Sequence, residues 1–586
     1  MIRQLVEEFL FKVLRERPEE TDLSSVRVDS TRDPAHGDLA LNAAMVFAKQ
    51  WKRPPREIAE ELAPLFRSSP LISAVEIAGP GFINFRIAPA AYQELLREIL
   101  AQSSAFGTRP AEEPRREQIE FVSANPTGPV NVVSARAAAV GDTLARLFEA
   151  IGIEAEREFY VNDHGNQVDH LLDSVLYYLN GEKGDFPENG YRGDYVSEIA
   201  NEARDGILAL LAEGAEDPDA GRLATLRDAI PALVAGDRGP WESASPGGDS
   251  AVPVTAASRR ALLRLWVLER MLAWQRSDLE AFGVRFQSWF RESSLHAGND
   301  IGDTYAALEK SGDVFENDGA HWFRSTNYGD EADRVLIRSN GQPTYFLADI
   351  AYHRTKAERK YDHAIDILGP DHHGHIPRML GAMRALGRPE DWLEILIVQQ
   401  VNLLKDGQPV KMSKRAGDFI ALRELIDEVG TDAARFFFVM LKPNSHLNFD
   451  LDLAKSKSLE NPVYYVQYAH ARVCSVLRHA EAAGIEPGAH EEADLSLLTE
   501  TDDLSLLKNL DRYPDTVEAA AHAREPQRIP TYLKELASEF HGYYHKVKVV
   551  TDDRPLTLAR LALLEGTRIV LQNGLALLAV DAPDAM

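Results

Sequence analysis

Cysteine is nearly absent from this chain: Cys474 is the only one in 586 residues. No intrachain disulfide can form, and no cysteine cage can hold zinc. Long apolar runs are missing as well. Nowhere do eighteen apolar residues follow one another, and the N-terminus, MIRQLVEEFLFKVLRERPEE, reads as an amphipathic charged helix rather than a signal peptide, so no membrane span and a cytoplasmic location are expected. Positive charge is scarce: 64 Lys and Arg stand against 91 Asp and Glu, a net charge of −27. That sign excludes a protein that coats nucleic acid non-specifically, and leaves local basic patches as the way to hold an RNA. Neither an internal repeat nor a low-complexity tract is found.

What is present is ample apolar content, 45%, in a chain long enough for about three or four domains. Residues 1–108 read as a small α/β module, with helices near 2–17, 40–50 and 55–67 and strands near 75–77 and 81–87, followed by a Gly/Pro linker over 105–114. Strand 118–123, a glycine and proline loop, helix 134–150 and strand 155–161 make a βαβ unit. The fold class expected for 109–460 is therefore α/β, a Rossmann-type doubly wound parallel sheet. A mostly helical insertion over about 170–285 interrupts it, with a passive loop at 235–257. The sheet is expected to resume with strands 333–339, 363–368 and 394–402. From 461 to 586 the pattern is amphipathic helix, a separate all-α bundle.

Lys411-Met412-Ser413-Lys414-Arg415 puts three cations on a short loop between a predicted strand and a predicted helix. Ammonium groups on flexible stems can follow the charge that builds on a leaving pyrophosphate, although a basic surface turn has the same spacing. The strand and loop 118–129 fit the other half of a nucleotide site, where Gly128 lets the backbone approach phosphate near a helix N-terminus. Four loops, 123–134, 344–349, 369–375 and 411–418, converge at the carboxyl ends of the strands. Near them Glu120 and Asp349, with Tyr345 one turn before Asp349, form a fork suited to a planar guanidinium. The alternative is that these are ordinary acids paired with structural arginines. Asp371-His372-His373-Gly374-His375 suits polar contact to adenosine or substrate better than a metal, since adjacent turn residues seldom converge on one ion.

These residues resemble the class I arginyl-tRNA synthetases over essentially the whole length. The resemblance rests on Pro34–Ala40, Ala78–Phe85, Ser123–Pro129, Tyr160–Asp163, Tyr328–Asp330, Thr344–Tyr352, Asn461–His470 and Asn573–Leu578. It implies ATP-dependent formation of arginyl-adenylate and transfer to tRNA(Arg), with RNA needed for the first step, Mg2+ arriving with ATP, and a monomer. Glu120, Ser123, Asn125, Tyr345, Asp349 and His373 would hold arginine. Gly128, Pro129, Asn131, Ser134, Gly369, Asp371, His372, Met412 and Ser413 would surround ATP, and Lys411 and Lys414 would draw off pyrophosphate. Phe82 and Asn84 would meet the outer corner of the tRNA, and Tyr464, Tyr465, Gln467 and Tyr468 its anticodon arm, unless those tyrosines are core.

One departure stands out. Where class I enzymes carry His-x-Gly-His, this chain has Asn131-Val132-Val133-Ser134. Amide and hydroxyl can still donate to phosphate, without imidazolium charge, and losing such a donor costs about 10²–10³ in rate. Asn131 and Ser134 are expected to be working substitutes. Two other readings compete: a catalytically impaired paralogue that still binds tRNA, and a nucleotidyl transferase acting on another cationic metabolite. The first has no use for a guanidinium pocket, and the second leaves the final helices unexplained.

Overall fold

Five strands, Arg116–Phe121, Glu154–Val161, Ser288–Arg291, His363–Leu368 and Leu393–Ile397, pair in parallel to form the central sheet. Their spatial order is 393–397, 363–368, 116–121, 154–161, 288–291. Parallel neighbours require crossovers, and helix Val132–Ala150 supplies the first through its small-residue face. Gly141 shows how close the approach is, since a Cβ there would lie 2.4 Å from the Phe121 ring. The chain runs outward from 116–121 and then returns to 363–368 on the opposite side. The crevice between those two strands is the switch point, where ligands bind in such sheets. The computed structural model describes residues 1–17, 22–31, 33–110, 114–205, 256–410, 420–486 and 488–586.

Around this sheet sit smaller layers. Strands Val28–Ser30, Leu39–Leu41, Phe82–Ile87 and Ile72–Ala78 form an antiparallel N-terminal sheet in that order, packed under helices Ala43–Trp51 and Pro55–Phe66. Helices Pro462–Ala482, Thr501–His522, Arg528–Lys546 and Arg554–Leu577 form the C-terminal bundle. Asn461 caps the first of these by accepting from Val463 N, with Pro462 at the first helical position. A buried guanidinium joins the bundle to the sheet domain: Arg435 donates to Asp142 Oδ2 (2.7 Å), the Leu578 carbonyl (2.6 Å) and the Phe282 carbonyl (3.0 Å).

Two expected strands are corrected. Residues 333–339 do not resume the parallel sheet; Arg334–Ile337 pairs antiparallel with Ala320–Phe323, which in turn pairs with Val314–Asn317. The run 394–402 divides into Leu393–Ile397, an edge of the main sheet, and Val401–Lys405, which pairs with Gln408–Pro409 and Leu447–Asp450 in another sheet. A continuous apolar run carries no mark of where a strand changes sheets. The fifth strand, Ser288–Arg291, has no alternation in its burial and was not expected.

Candidate active site

The floor of the crevice is a row of acids. Glu158, Glu120 and Asp366 lie side by side across three strands, because Glu120 is registered with both of the others. Three adjacent buried carboxylates would repel one another, and one helix face answers them. Thr344 caps helix Tyr345–Glu358, which lays His353 and Lys356 over the row, with Arg359 at its C-cap. Lys356 donates to Glu120 Oε2 at 2.8 Å and to Asp366 Oδ1 at 2.6 Å, and His353 Nε2 lies 2.6 Å from Asp366 Oδ2. Arg359 forks onto both oxygens of Glu158, which also accepts from Tyr352 Oη at 2.6 Å. Despite burial, the Lys356 ammonium charge holds Asp366 well below the usual carboxylate range. Glu120, His353 and Asp366 come close enough together to hold a cation, but the Lys356 ammonium already bridges the two carboxylates.

Above this floor opens a cavity of about 240 Å³ lined by Glu120, Ser123, Ser134, Tyr160, Asp349, Gly369, His372, His375 and Val398, among others. Strand 116–121 ends in a tight turn, with Val122 and Ser123 at φ 70° and 39° and Ser123 N donating to the Phe121 carbonyl. Positive φ at two non-glycine residues is strained backbone of the kind that gathers at functional sites. The turn aims the Ser123 hydroxyl at Glu120 Oε1 (2.9 Å), where it also accepts from Tyr160 N (3.1 Å). Glu120 is therefore already met by an ammonium and a hydroxyl.

Among the described residues, Asp349 and Glu292 are acids of this region without a Lys or Arg ion pair. Asp349 sits deep among protein atoms, yet 38% of its side chain is exposed into the cavity. Burial, reinforced by the charges of Glu120 and Asp366, raises its pKa to about 7. Glu292 is raised to about 7 in the same way, first by burial and then by Asp349 itself. Each has an imidazole within ion-pair distance: His375 Nε2 is 3.5 Å from Asp349, and His296 Nε2 is 3.7 Å from Glu292; Arg378 acts on Asp349 from farther off. Both imidazoles are neutral, because burial depresses His375 to about 4 and also lowers His296. Tyr160 bonds to Glu292, and Asn162, its amide oriented so that Nδ2 donates, reaches Glu292 Oε2 at 2.8 Å. Sequence reasoning missed Glu292; the strand that delivers it shows no periodicity, and its partner Asp349 lies on a helix far along the chain.

The nucleotide side is framed by the helical insertion. Gln275, wholly buried, donates to the carbonyls of Asn125 (3.0 Å) and Gly128 (2.8 Å), and Tyr195 Oη donates to that of Thr127 (2.9 Å). These contacts fix the loop that carries Gly128 and Pro129, although neither residue lines the cavity. Asn131 caps helix 132–150, its side-chain oxygen accepting from Ser134 N at 2.8 Å. That commits its oxygen to the cap and leaves only the amide nitrogen to donate. The Ser134 hydroxyl is on the cavity wall.

Several expected residues lie elsewhere. Tyr345 is 66% exposed at the helix start near Gly165, outside the cavity lining; it shares a face with Asp349 but, as the first helical residue, has no preceding turn to pack on. Asp371, His372 and His373 are all exposed; of the 3-10 turn Pro370–His375, it is His372 and His375 that border the cavity. Asn125 is exposed, facing Asn162 at 3.2 Å. Asn84 is only 6% exposed within the N-terminal sheet, while Phe82 is open at the hairpin. Gln467 points inward, donating to Asp432 Oδ2 (2.8 Å) and the Asp581 carbonyl (2.9 Å). Lys411, Met412, Ser413 and Lys414 lie outside the described residues, as does 235–257 except for its last two positions.

On the bundle, Tyr464 and Tyr468 stack (5.9 Å), Tyr465 packs on His541 (4.9 Å), and Arg472 lies over the rings of Tyr468 (4.6 Å) and Tyr544 (4.9 Å). Tyr464, Tyr465 and Tyr468 are half-buried and Tyr544 is exposed. Among the described residues no helix is long and apolar enough to cross a membrane.

Comparison with known proteins bears on this geometry. Residues 1–87 match the arginyl tRNA synthetase N terminal domain, 272–444 the catalytic domain of class I (R) tRNA synthetases, and 466–586 the DALR anticodon binding domain. The chain is 46% identical to the arginine–tRNA ligase of Nitrosospira multiformis, covering 98% of this chain and 97% of that protein. It is 45% identical to that of Thioalkalivibrio sulfidiphilus, covering 96% and 95%. In fold it is similar to the arginyl-tRNA synthetase of Thermus thermophilus, with a TM-score of 0.72 at 24% identity over the full length of both chains.

Proposed function

The chain belongs to the class I arginyl-tRNA synthetases, and from that premise we propose how its residues activate arginine with ATP and pass it to tRNA(Arg). One observation carries the assignment of the amino-acid pocket: Asp349 lines the cavity with a raised pKa, and Glu292, buried behind it and bonded to the lining residue Tyr160, is raised as well, with a neutral imidazole beside each. Among the described residues no Lys or Arg forms an ion pair with either acid, and a planar guanidinium offers paired donors to a carboxylate such as Asp349, with Glu292 adding negative charge behind it. Glu120 and Ser123, on the same cavity, then meet the ammonium end of the amino acid, with Glu120 kept from dominating by Lys356.

The arginine carboxylate attacks the α-phosphate of ATP, and a terminal ribose hydroxyl of the tRNA then attacks the adenylate. The N-terminus of helix 132–150 and the Ser134 hydroxyl receive phosphate oxygens, assisted by Gly369 and His372; Lys411 and Lys414 stabilise the departing pyrophosphate. Magnesium accompanying ATP would neutralise phosphate charge, and no dedicated protein ligands are assigned to it. Tyr464, Tyr468, Arg472 and Tyr544 suit unpaired anticodon bases through stacking and cation–π contact, and Phe82 suits the outer corner. A cytoplasmic monomer is the form proposed.

Arginine-dependent pyrophosphate exchange, with and without tRNA, tests the reading. Exchange with arginine only when RNA is present supports it. RNA binding without exchange would point to the impaired paralogue, and RNA-independent exchange with another amine to a different transferase.

A further inference from the structure

Helix 132–150 lines the nucleotide side of the cavity with Val133, Ser134 and Ala137. Between the last two, Arg136 turns away from the cavity and is wholly buried. Among the described residues no carboxylate pairs with it. Its Nη1 donates to the carbonyls of Gln399 (3.0 Å) and Ser445 (2.7 Å), its Nη2 to that of Lys442 (3.0 Å), and its Nε is buried without a partner. Burial alone draws its pKa down to about 10. An interior guanidinium with no counter-ion is costly. The geometry supplies the reason for keeping one: three backbone carbonyls from two separate segments accept from the two spaced Nη groups of one planar fork, a spacing that the single ammonium nitrogen of lysine does not reproduce.

Those carbonyls matter because of what adjoins them. Val398, the neighbour of Gln399, lies on the cavity wall. Gln399 N donates to the Pro443 carbonyl (2.9 Å), and from this junction Val401–Lys405 and Leu447–Asp450 run in parallel. The helix start is tied a second time, to the start of helix Leu422–Val429, by Leu422 N to the Val130 carbonyl (2.7 Å) and Val132 N to the Ile420 carbonyl (3.2 Å). The backbone ties fix one point on the helix start. Arg136 fixes another, about one turn along, and two points are needed to set an orientation.

We infer that Arg136 is a positioning residue for the nucleotide half of the site: it clamps the Gln399 and 442–445 carbonyls and so sets Ser134 and the helix N-terminus against the Val398 wall, touching neither substrate. The inference rests on the function proposed above. It matters more here than where imidazolium groups line the first loop, because a hydroxyl and backbone amides give weaker donors that depend more on placement.

The full-length enzyme and its R136K and R136M variants would be compared by ATP affinity in titration calorimetry, by ATP and arginine kinetics in tRNA-supported exchange, and by thermal unfolding. Lysine keeps the charge but loses the fork, and methionine loses both. We expect kcat/KM for ATP to fall about tenfold in R136K and about a hundredfold in R136M, with weaker ATP binding and arginine KM within about twofold, since small misplacements at a reacting centre cost that much. Equal ATP affinity and ATP kinetics in wild type and R136K, whatever the fall in melting temperature, would overturn the inference. So would a loss shared equally by ATP and arginine. If R136M does not fold, R136K decides. If wild type binds ATP but shows no exchange with arginine, the functional reading fails, and the ATP affinities still decide the role of Arg136.

Discussion

Below pH 7 Asp349 and Glu292 take up protons, because both have pKa values near 7 in the free protein, raised first by burial. Guanidinium binding needs them ionised. Arginine KM should therefore rise as pH falls from about 8 to about 6, by up to about one decade per unit for each group that must ionise. The sign for stability is opposite in the free protein. A carboxyl whose folded pKa is raised loses stability as pH climbs from its unfolded value, near 4, to 7. Added arginine should consequently raise the melting temperature more at pH 8 than at pH 6; a pH-independent increment would count against the acid pair. D349N should raise arginine KM about ten- to hundredfold, the worth of one charge-assisted hydrogen bond set, with ATP KM little changed. At the same scale, Asn131 is a cap before it is a donor. N131A should destabilise by about 0.5–2 kcal/mol in thermal unfolding, with a smaller effect on the rate of adenylate formation than S134A; the reverse ranking would restore Asn131 as a phosphate donor.

At the scale of elements, the central strand departs from what a buried parallel strand usually shows. Such strands read as apolar runs, yet Glu117, Gln118 and Glu120 are all buried here. Helix 345–358 makes this possible by presenting His353 and Lys356 on the face that covers the acid row. Lys356 is 0% exposed, so K356M would strand two carboxylates in the interior and should cost about 3–5 kcal/mol. Denaturant unfolding measures this directly. A loss under about 1 kcal/mol would mean that water or a proton replaces the ammonium easily. The helix itself was legible in sequence, as was Asp349 on its inner side. Tyr345 was assigned to the same face by its spacing of four, but as the first residue after the Thr344 cap it has no preceding turn to pack on, and it stays open to solvent.

Across the whole molecule, Arg435 gathers the crossover helix, the end of the insertion and the segment after the last bundle helix onto one guanidinium. R435M would leave the Leu578 and Phe282 carbonyls unmet and Asp142 with only Arg146 and Arg157. Calorimetry should then show the bundle unfolding apart from the sheet domain, as two transitions in place of one cooperative event. One unshifted transition would show that apolar packing alone holds the bundle. The wrong assignment of residues 333–339 belongs to this scale too, since sheet membership is settled by partners the sequence does not display.

The sequence alone determined what is local and chemical. The crossover helix after strand 116–121 and the acid at position 349 on its helix follow from residue types at short spacing. Tertiary structure decided who meets whom. Glu120 could have been matched to a substrate guanidinium until strand register set it between Glu158 and Asp366 under Lys356, and Glu292 acquired meaning only when the fifth strand delivered it beside Asp349. The reason is physical: short-range propensity follows from each residue and its near neighbours, whereas the charge felt by a buried acid depends on strands and helices hundreds of residues away, brought within a few ångströms by the order in which the sheet is wound.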